Sequence, residues 1–499
     1  MMTPGAVPQP IGGDWAAGDG SLAALPRIIQ GGMGVAVSSW ELAGAVAREG
    51  QLGVVSGTAL ELVFARRLQL GDTGGHARRA IACFPVREIA DRVLGAYFIA
   101  GGKAAGSPFR AVPMYSLRAS PSLKELTLVA NFAEVHLAKE RGRGGLIGIN
   151  YLHKIQLPLL ESMYGAMLAG VDFVLMGAGN PAKIPPLLTL LSRHADCSQD
   201  IKVLYAAAGE CHETQFSPLT IMRGMAVPLR RPKFLAIVAS TDLAAALAAD
   251  PVEPPDGFVV ELPTAGGHNA PPRGPLRLDE QGQPIYGSLD EVDRAAMARL
   301  GLPFWMGGSY GRPEALRAAL ADGAQGIQVG TAFAFSRESG LAPALRDQVL
   351  RAAIDGHLTV RTDPRASPTG FPFKVVPIAG SIADPRVYQQ RQRICDVGLL
   401  RVPFVDELGR VGYRCPSEPE ATFVRKRGLP GNTAGRTCLC NCLLATVGLA
   451  QTRRDGSVEP PLLTAGDDLP GITRFVPPGA TSYAAADVIR ALLGGPRSE

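Results

Sequence analysis

Residues 302–335, LPFWMGGSYGRPEALRAALADGAQGIQVGTAFAF, restrict the fold more than any other stretch, because they spell strand, glycine turn, helix, strand and second glycine turn in succession. An apolar run, 303–306, ends in Gly307-Gly308. Pro313 then stands where the first turn of a helix tolerates a residue without an N–H. Leu316, Ala319 and Leu320 share one helical face, and Gly323 ends the helix. The second run, 326–329, ends in Gly330-Thr331. Both strands therefore finish at their carboxyl ends in residues that let a ligand approach the backbone closely. Two such turns side by side form a phosphate cradle, and in a (β/α)8 barrel that cradle follows strands seven and eight.

A barrel needs six earlier strands, and apolar runs supply them at 27–30, 53–56, 146–151, 172–176, 234–239 and 257–261. Helical patterns follow at 40–48, 159–169, 184–193, 242–249 and 288–300. This alternation predicts an α/β (β/α)8 TIM barrel with long insertions and an irregular, cysteine-containing C-terminal extension. A doubly wound sheet is the structural rival, and two late glycine turns fit it poorly. The expected division is an N-terminal arm at 1–25, the barrel at 26–361 with an insertion at about 58–145, and the extension at 362–499. The insertion carries patterns at 86–99, 112–117 and 122–140, either shaping the barrel mouth or only covering its flank. Residues 201–207, IKVLYAA, read as an extra strand, and 484–493 as the one clear helix after residue 362.

Hydrophobic residues at 46% and charged residues at 19% suit a globular enzyme with a large core. The net charge of +5 is small for 499 residues, and no basic cluster interleaves with aromatics, so nucleic-acid and membrane-surface binding lack support. The N-terminal sequence has no cationic start or apolar core of a signal peptide, and no run reaches the length of a membrane span. A cytoplasmic protein with reduced cysteines is the expectation.

The densest chemistry lies in VELPTAGGHNAPPRG, residues 260–274. Gly266-Gly267 permits tight backbone approach and presents His268 at the barrel mouth. A histidine there either moves a proton near neutral pH or merely caps a loop. Arg273 is a candidate contact for an anion. Asn150 interrupts an apolar third strand, which points to a hydrogen bond at the same mouth or to a turn.

Five of the eight cysteines fall in the extension. Cys438, Cys440 and Cys442 are tightly spaced, with Cys395 and Cys415 upstream. Cys395, Cys415, Cys438 and Cys440 form a candidate zinc or iron–sulfur ligand set. Against it, no CxxC pair is present, and ordinary reduced thiols are the alternative.

Together IIQGGMGV, the INY of strand three, AGGH, GGSYGRPEALRAALADGA and GIQVGTAF resemble the nitronate monooxygenase family, formerly the 2-nitropropane dioxygenases, over about 26–345. The resemblance implies an FMN-dependent TIM barrel that oxidises a nitronate or similar carbanionic small molecule with O2. It implies flavin contacts at Gly31, Gly32, Met33, Asn150, Gly266, Gly267, Gly307, Gly308, Gly330 and Thr331, and His268 as base or substrate-binding group. Two departures stand out. The fifth strand's LAIVAS lacks the lysine often found near the flavin, and Asn269-Ala270-Pro271-Pro272 separates AGGH from Arg273-Gly274. Related flavin-dependent enoyl reductases, which use NAD(P)H on acyl or polyketide chains, are the alternative reading, and a flavin-binding protein without turnover is the third.

Overall fold

The computed structural model describes residues 25–495, so nearly all of the expected N-terminal arm lies outside the described residues. Eight parallel strands close into a barrel: β1 (Ile28–Gln30), β2 (Leu52–Ser56), β3 (Ile147–Leu152), β4 (Phe173–Gly177), β5 (Lys233–Val238), β6 (Gly257–Glu261), β7 (Phe304–Gly307) and β8 (Gly326–Val329). Each pairs with its sequence neighbours, and β8 closes on β1 through Ile28 opposite Ile327. The expected (β/α)8 barrel is the fold.

Strand alternation places every second side chain inside. Ile29, Val54, Leu175, Leu235, Val259 and Trp305 meet there as one apolar plug. The indole N–H of Trp305 is satisfied by the carbonyl of Pro26 at 2.8 Å. Continuing two residues along the same faces gives Asn150 after Gly148, Glu261 after Val259, and Gly307 after Trp305. A polar layer therefore sits on the apolar plug, at the carboxyl ends of the strands.

The insertion lies mostly on the flank. Its helices are Leu60–Gln69, His76–Ala82, Arg87–Tyr97 and Pro121–Gly142; the third takes up most of the patterned stretch 86–99 and the fourth contains 122–140. The longest begins with Ser120 capping Leu123 and Pro121 in the first turn, and packs between helices Trp40–Arg48 and Leu159–Leu168. Its buried Glu134 is held by the Trp40 N–H at 2.9 Å and Arg67 at 2.7 Å.

Two local expectations are corrected. Residues 201–207 form no regular strand, apart from a single bridge from Leu204 to Phe404. The antiparallel pair Cys197–Asp200 and Glu213–Phe216 flanks them, with alternating buried and exposed residues. The helical stretch 288–300 is divided into a 3-10 turn, Ser288–Asp290, and a helix, Arg294–Arg299, which starts where Asp293 caps Ala296.

Past residue 362 the chain has more regular structure than its composition suggests. It holds strands Phe373–Val375, Val402–Val405 and Val411–Arg414, and helices Pro385–Gln390, Glu420–Arg425 and Leu439–Thr446 before Ala485–Leu493. The short helices lack an apolar stripe because they are brief or, like Leu439–Thr446, buried nearly all round. Phe373, Val375, Ile382, Leu439, Cys442 and Leu462 form a core of their own. The last helix docks against Trp40–Arg48 and Pro313–Ala321, the helices following β1 and β7, and so occupies the eighth position of the outer ring.

Candidate active site

A cavity of about 440 Å3 opens at the carboxyl ends of the strands. All ten residues proposed for flavin contact border it, as does His268. This volume lies within the roughly 300–1,000 Å3 usual for cofactor and ligand sites.

Its floor is the polar layer. Asn150 stands so close to the first-strand turn that a Cβ on Gly32 would lie 2.2 Å from its own Cβ, which excludes any other residue at Gly32. Ser38 fixes this turn by donating to the Gly31 carbonyl and accepting from the Met33 N–H, both at 2.9 Å. Gln328 faces Gly31 and Gly307, and its Oε1 is buried without a partner. Glu261 is half-buried in the cavity wall, and burial of its carboxyl pushes it up to about 7. Glu261 and Gln328 were not singled out from sequence, although each breaks an apolar strand as Asn150 does.

The turns after β7 and β8 are neighbours, as their strands pair. Gly308 has φ 97° and a Cβ there would meet Thr264 Oγ1 at 2.8 Å; Ser309 follows at φ 57°. The N–H groups of Gly308, Ser309 and Gly330 have no acceptor among the described turns and loops. A left-handed turn with unused N–H groups is a ready cradle for an anion.

The tail roofs the cavity. Thr464 Oγ1 accepts the Gly267 N–H at 2.9 Å, and the Gly466 N–H donates to Thr331 Oγ1 at 2.9 Å. A Cβ on Gly266 would meet the Ala465 backbone at 2.8 Å. The closeness permitted by Gly266-Gly267 thus admits the tail backbone. Phe371, Leu399, Leu439, Leu443 and Leu463 add an apolar ceiling.

His268 is held on the roof side. Its backbone bridges to Phe373, whose ring meets the imidazole edge-on at 4.9 Å, and Nε2 lies 2.7 Å from Ser367 Oγ. Burial, aided by the positive charge of Lys154, pushes the imidazole down to about 3. It is therefore neutral across the physiological range. Arg273 points elsewhere, to Asp242 at 3.3 Å.

The four proposed metal-ligand cysteines are a further correction. Among the described residues no group of three or more His, Cys, Asp or Glu gathers closely enough to hold a metal ion. Cys440 feels Cys438, Cys395 and Cys415 as neighbouring charges, but electrostatic reach exceeds ligation distance. Burial pushes Cys438 up to about 11, Cys415 up to about 12 and Cys395 upward, favouring the neutral thiol over the ligating thiolate. No helix among the described residues is long and apolar enough to cross a membrane.

Residues 223–366, which include β5 to β8, match the nitronate monooxygenase family model. No curated protein matches the chain by sequence. Among solved structures, FabK from Thermotoga maritima is 16% identical, with 94% of this chain and 92% of that chain covered and a TM-score of 0.43. The nitroalkane oxidase from Streptomyces ansochromogenes is 15% identical, with 94% and 95% covered and a TM-score of 0.46. The enoyl reductase domain of MlnA from the macrolactin biosynthesis cluster of Bacillus amyloliquefaciens is 12% identical, with 94% and 93% covered and a TM-score of 0.47. Structural similarity at this level fixes neither substrate nor cofactor. The family match supports a flavin-using oxidoreductase.

Proposed function

We propose, taking the nitronate monooxygenase likeness of residues 223–366 as premise, that the protein is an FMN-dependent oxidoreductase of nitronates or similar carbanionic small molecules, with O2 as electron acceptor. One observation carries this reading: the glycine turns after β7 and β8 and the polar floor of Asn150, Glu261 and Gln328 face the same cavity as His268. The residues fit FMN. The N–H groups of Gly308, Ser309 and Gly330 would hold its phosphate. Gln328 Oε1 would accept a hydrogen bond from the polar edge of the flavin, and protonated Glu261 would donate one. FMN bound there would supply two-electron chemistry, accepting electrons from the substrate carbon and passing them to O2.

The chain's own residues orient the substrate and exclude water. With Nε2 engaged by Ser367, Nδ1 of His268 is the ring nitrogen left for the substrate. A neutral imidazole with so low a pKa is a weak base, and suits a substrate that arrives as its anion. This favours a preformed nitronate over its parent nitroalkane. The leucine-rich ceiling keeps water from the reacting carbon.

That ceiling also favours a second reading, an NAD(P)H-dependent enoyl reductase whose acyl chain lies against the leucines. An absorption spectrum of the purified protein, taken before and after mixing with propane-2-nitronate in air or with NADPH, separates the two. Flavin absorbance with nitronate-dependent O2 uptake and nitrite release supports the first. Rapid bleaching by NADPH with slow O2 use supports the second, and colourless protein that cannot be reconstituted with FMN rejects both.

A further inference from the structure

We infer that Leu399, Leu400 and Leu443, all from the tail, form a binding site for an uncharged alkyl chain carried by the substrate, and so set the enzyme's chain-length preference. The inference deepens the reading above, from which it takes the position of the flavin on the polar floor. Whatever reacts with a flavin there lies on its other side, between the ring and the roof.

The three leucines border the cavity and are only half-buried. Large apolar side chains that keep accessible surface inside a recess, rather than scattered over the exterior, mark a place for an apolar ligand. The helix that bears Leu443 repeats the theme. Leu439, Leu443 and Thr446 all border the cavity, and their spacing of four and three residues puts them on one stripe, about 10 Å long at 1.5 Å per residue. The Thr446 hydroxyl is spent on the carbonyls of Cys442 and Leu462, at 2.9 and 2.7 Å. Cys440, beside this stripe, is kept a neutral thiol by burial and behaves as a small apolar group.

Charge excludes other occupants. Among the described residues no lysine or arginine borders the cavity, so nothing in its wall would pair with a charged group at the far end of a chain. Of its two carboxylates, Glu261 lies on the floor, and Asp468 is committed to Arg474 at 3.0 Å. The cavity is therefore two-ended, with hydrogen-bonding groups at the strand ends and hydrocarbon beneath the tail. The substrate that matches both ends is a carbanionic head on an uncharged alkyl chain of several carbons.

Butanamide, hexanamide and octanamide share a planar, hydrogen-bonding and unreactive head and differ only in chain length. Binding of each is measured by calorimetry on the protein as purified, on Leu443→Ala and on Leu399→Ala, with melting temperature and flavin content recorded for all three. Wild-type affinity should rise by about three- to fourfold per added methylene. Leu443→Ala should weaken octanamide by about 5- to 30-fold while changing butanamide far less. Leu399→Ala, on a separate segment, reads the same ratio should Leu443→Ala unfold. Wild-type affinity that does not rise with chain length, or a folded variant that keeps the wild-type ratio of octanamide to butanamide affinity, overturns the assignment. Loss of flavin from Leu443→Ala with that ratio unchanged would show that the leucine covers the flavin instead, and overturns it equally. FMN uptake and nitronate turnover without chain dependence would reject this inference and leave the flavin reading standing; chain-dependent binding in a protein that takes up no FMN would do the reverse.

Discussion

Ser367 Oγ lies 2.7 Å from Nε2 of His268, joining the loop after the sixth barrel strand to a tail residue 99 positions further along the chain. Thr369 Oγ1 in turn lies 2.8 Å from Ser367 Oγ, so the imidazole is oriented by the tail. His268→Asn is expected to keep flavin content and melting temperature near wild type while lowering turnover of a nitronate by about 10- to 100-fold. Because the wild-type imidazole titrates only at about 3, the pH–rate profile should show no limb near pH 6.5 assignable to it. A limb there that disappears in His268→Asn would refute the neutral-imidazole assignment.

Glu261 gives a second pH signature. Its carboxyl binds a proton in the folded state up to about pH 7, whereas the unfolded chain releases it near 4.5. The folded state holds the extra proton between those values, so its contribution to stability is full below 4.5 and is lost as pH rises through 7. Glu261→Gln cannot titrate. Its melting temperature should fall less than that of wild type between pH 5 and pH 8, and an equal fall in both would contradict the burial of this carboxyl.

Gly32 and Gly330 test the cradle. The 2.2 Å approach to Asn150 leaves no room for a methyl group, so Gly32→Ala should destabilise the protein by about 1–3 kcal/mol and reduce FMN retention. At Gly330 a Cβ would meet only the Met33 side chain, Sδ at 3.4 Å and Cγ at 3.6 Å, and φ of −105° is ordinary. Gly330→Val should therefore fold but bind FMN at least about tenfold more weakly, since branched atoms would intrude on the phosphate turn. Release of FMN followed by fluorescence measures both; full retention in Gly330→Val would remove the phosphate from this turn.

The tail is pinned by charge as well as apolar packing. Glu459 receives Arg391 and Arg453, and the first of these pairs is almost wholly buried. Glu459→Ala would leave two arginines short of their partner, at a cost of about 3–5 kcal/mol. Limited proteolysis should then cut between residues 376 and 460 sooner than in wild type. An unchanged digestion pattern would show that the pair does not secure the tail.

Cysteine reactivity distinguishes thiols from a cluster. Cys83 and Cys211 are exposed, whereas Cys440 and Cys442 are buried with pKa values pushed well above the ordinary thiol range. Native protein should label quickly at the two exposed positions and slowly at Cys440 and Cys442, with all eight reacting after denaturation. Stoichiometric zinc or iron in anaerobically purified protein would contradict the thiol assignment.

The barrel was legible because eight buried strands produce short apolar runs and the turns after the first, seventh and eighth strands carry glycine. Gly32 and Gly308 are written into the sequence by local necessity: one faces Asn150 at a distance no side chain permits, and the other has a left-handed φ. Lys154 and Ser367 were not legible, since their relation to His268 is created by the packing of distant segments and neither disturbs a local pattern. Glu261 lay between. Its carboxylate at the end of an apolar strand was visible, but its burial depends on the neighbouring strands and the roof. Of the helices after residue 362 only 484–493 was legible: Pro385–Gln390 and Glu420–Arg425 are too short to print a period, and Leu439–Thr446 is enclosed by other parts of the chain and has almost no solvent face.

The last helix, Ala485–Leu493, sits in the barrel's outer ring, while the residues between it and β8 pass over the mouth. Ring closure and roofing are consequently parts of one event. During synthesis the eight strands emerge before the segment that completes their shell, leaving an interval in which the mouth stands open. On the proposed reading, that interval is the natural time for FMN to enter. Loading should accordingly be fastest during the first folding of the chain, and exchange from the finished protein should be as slow as the lifting of its final 130 or so residues.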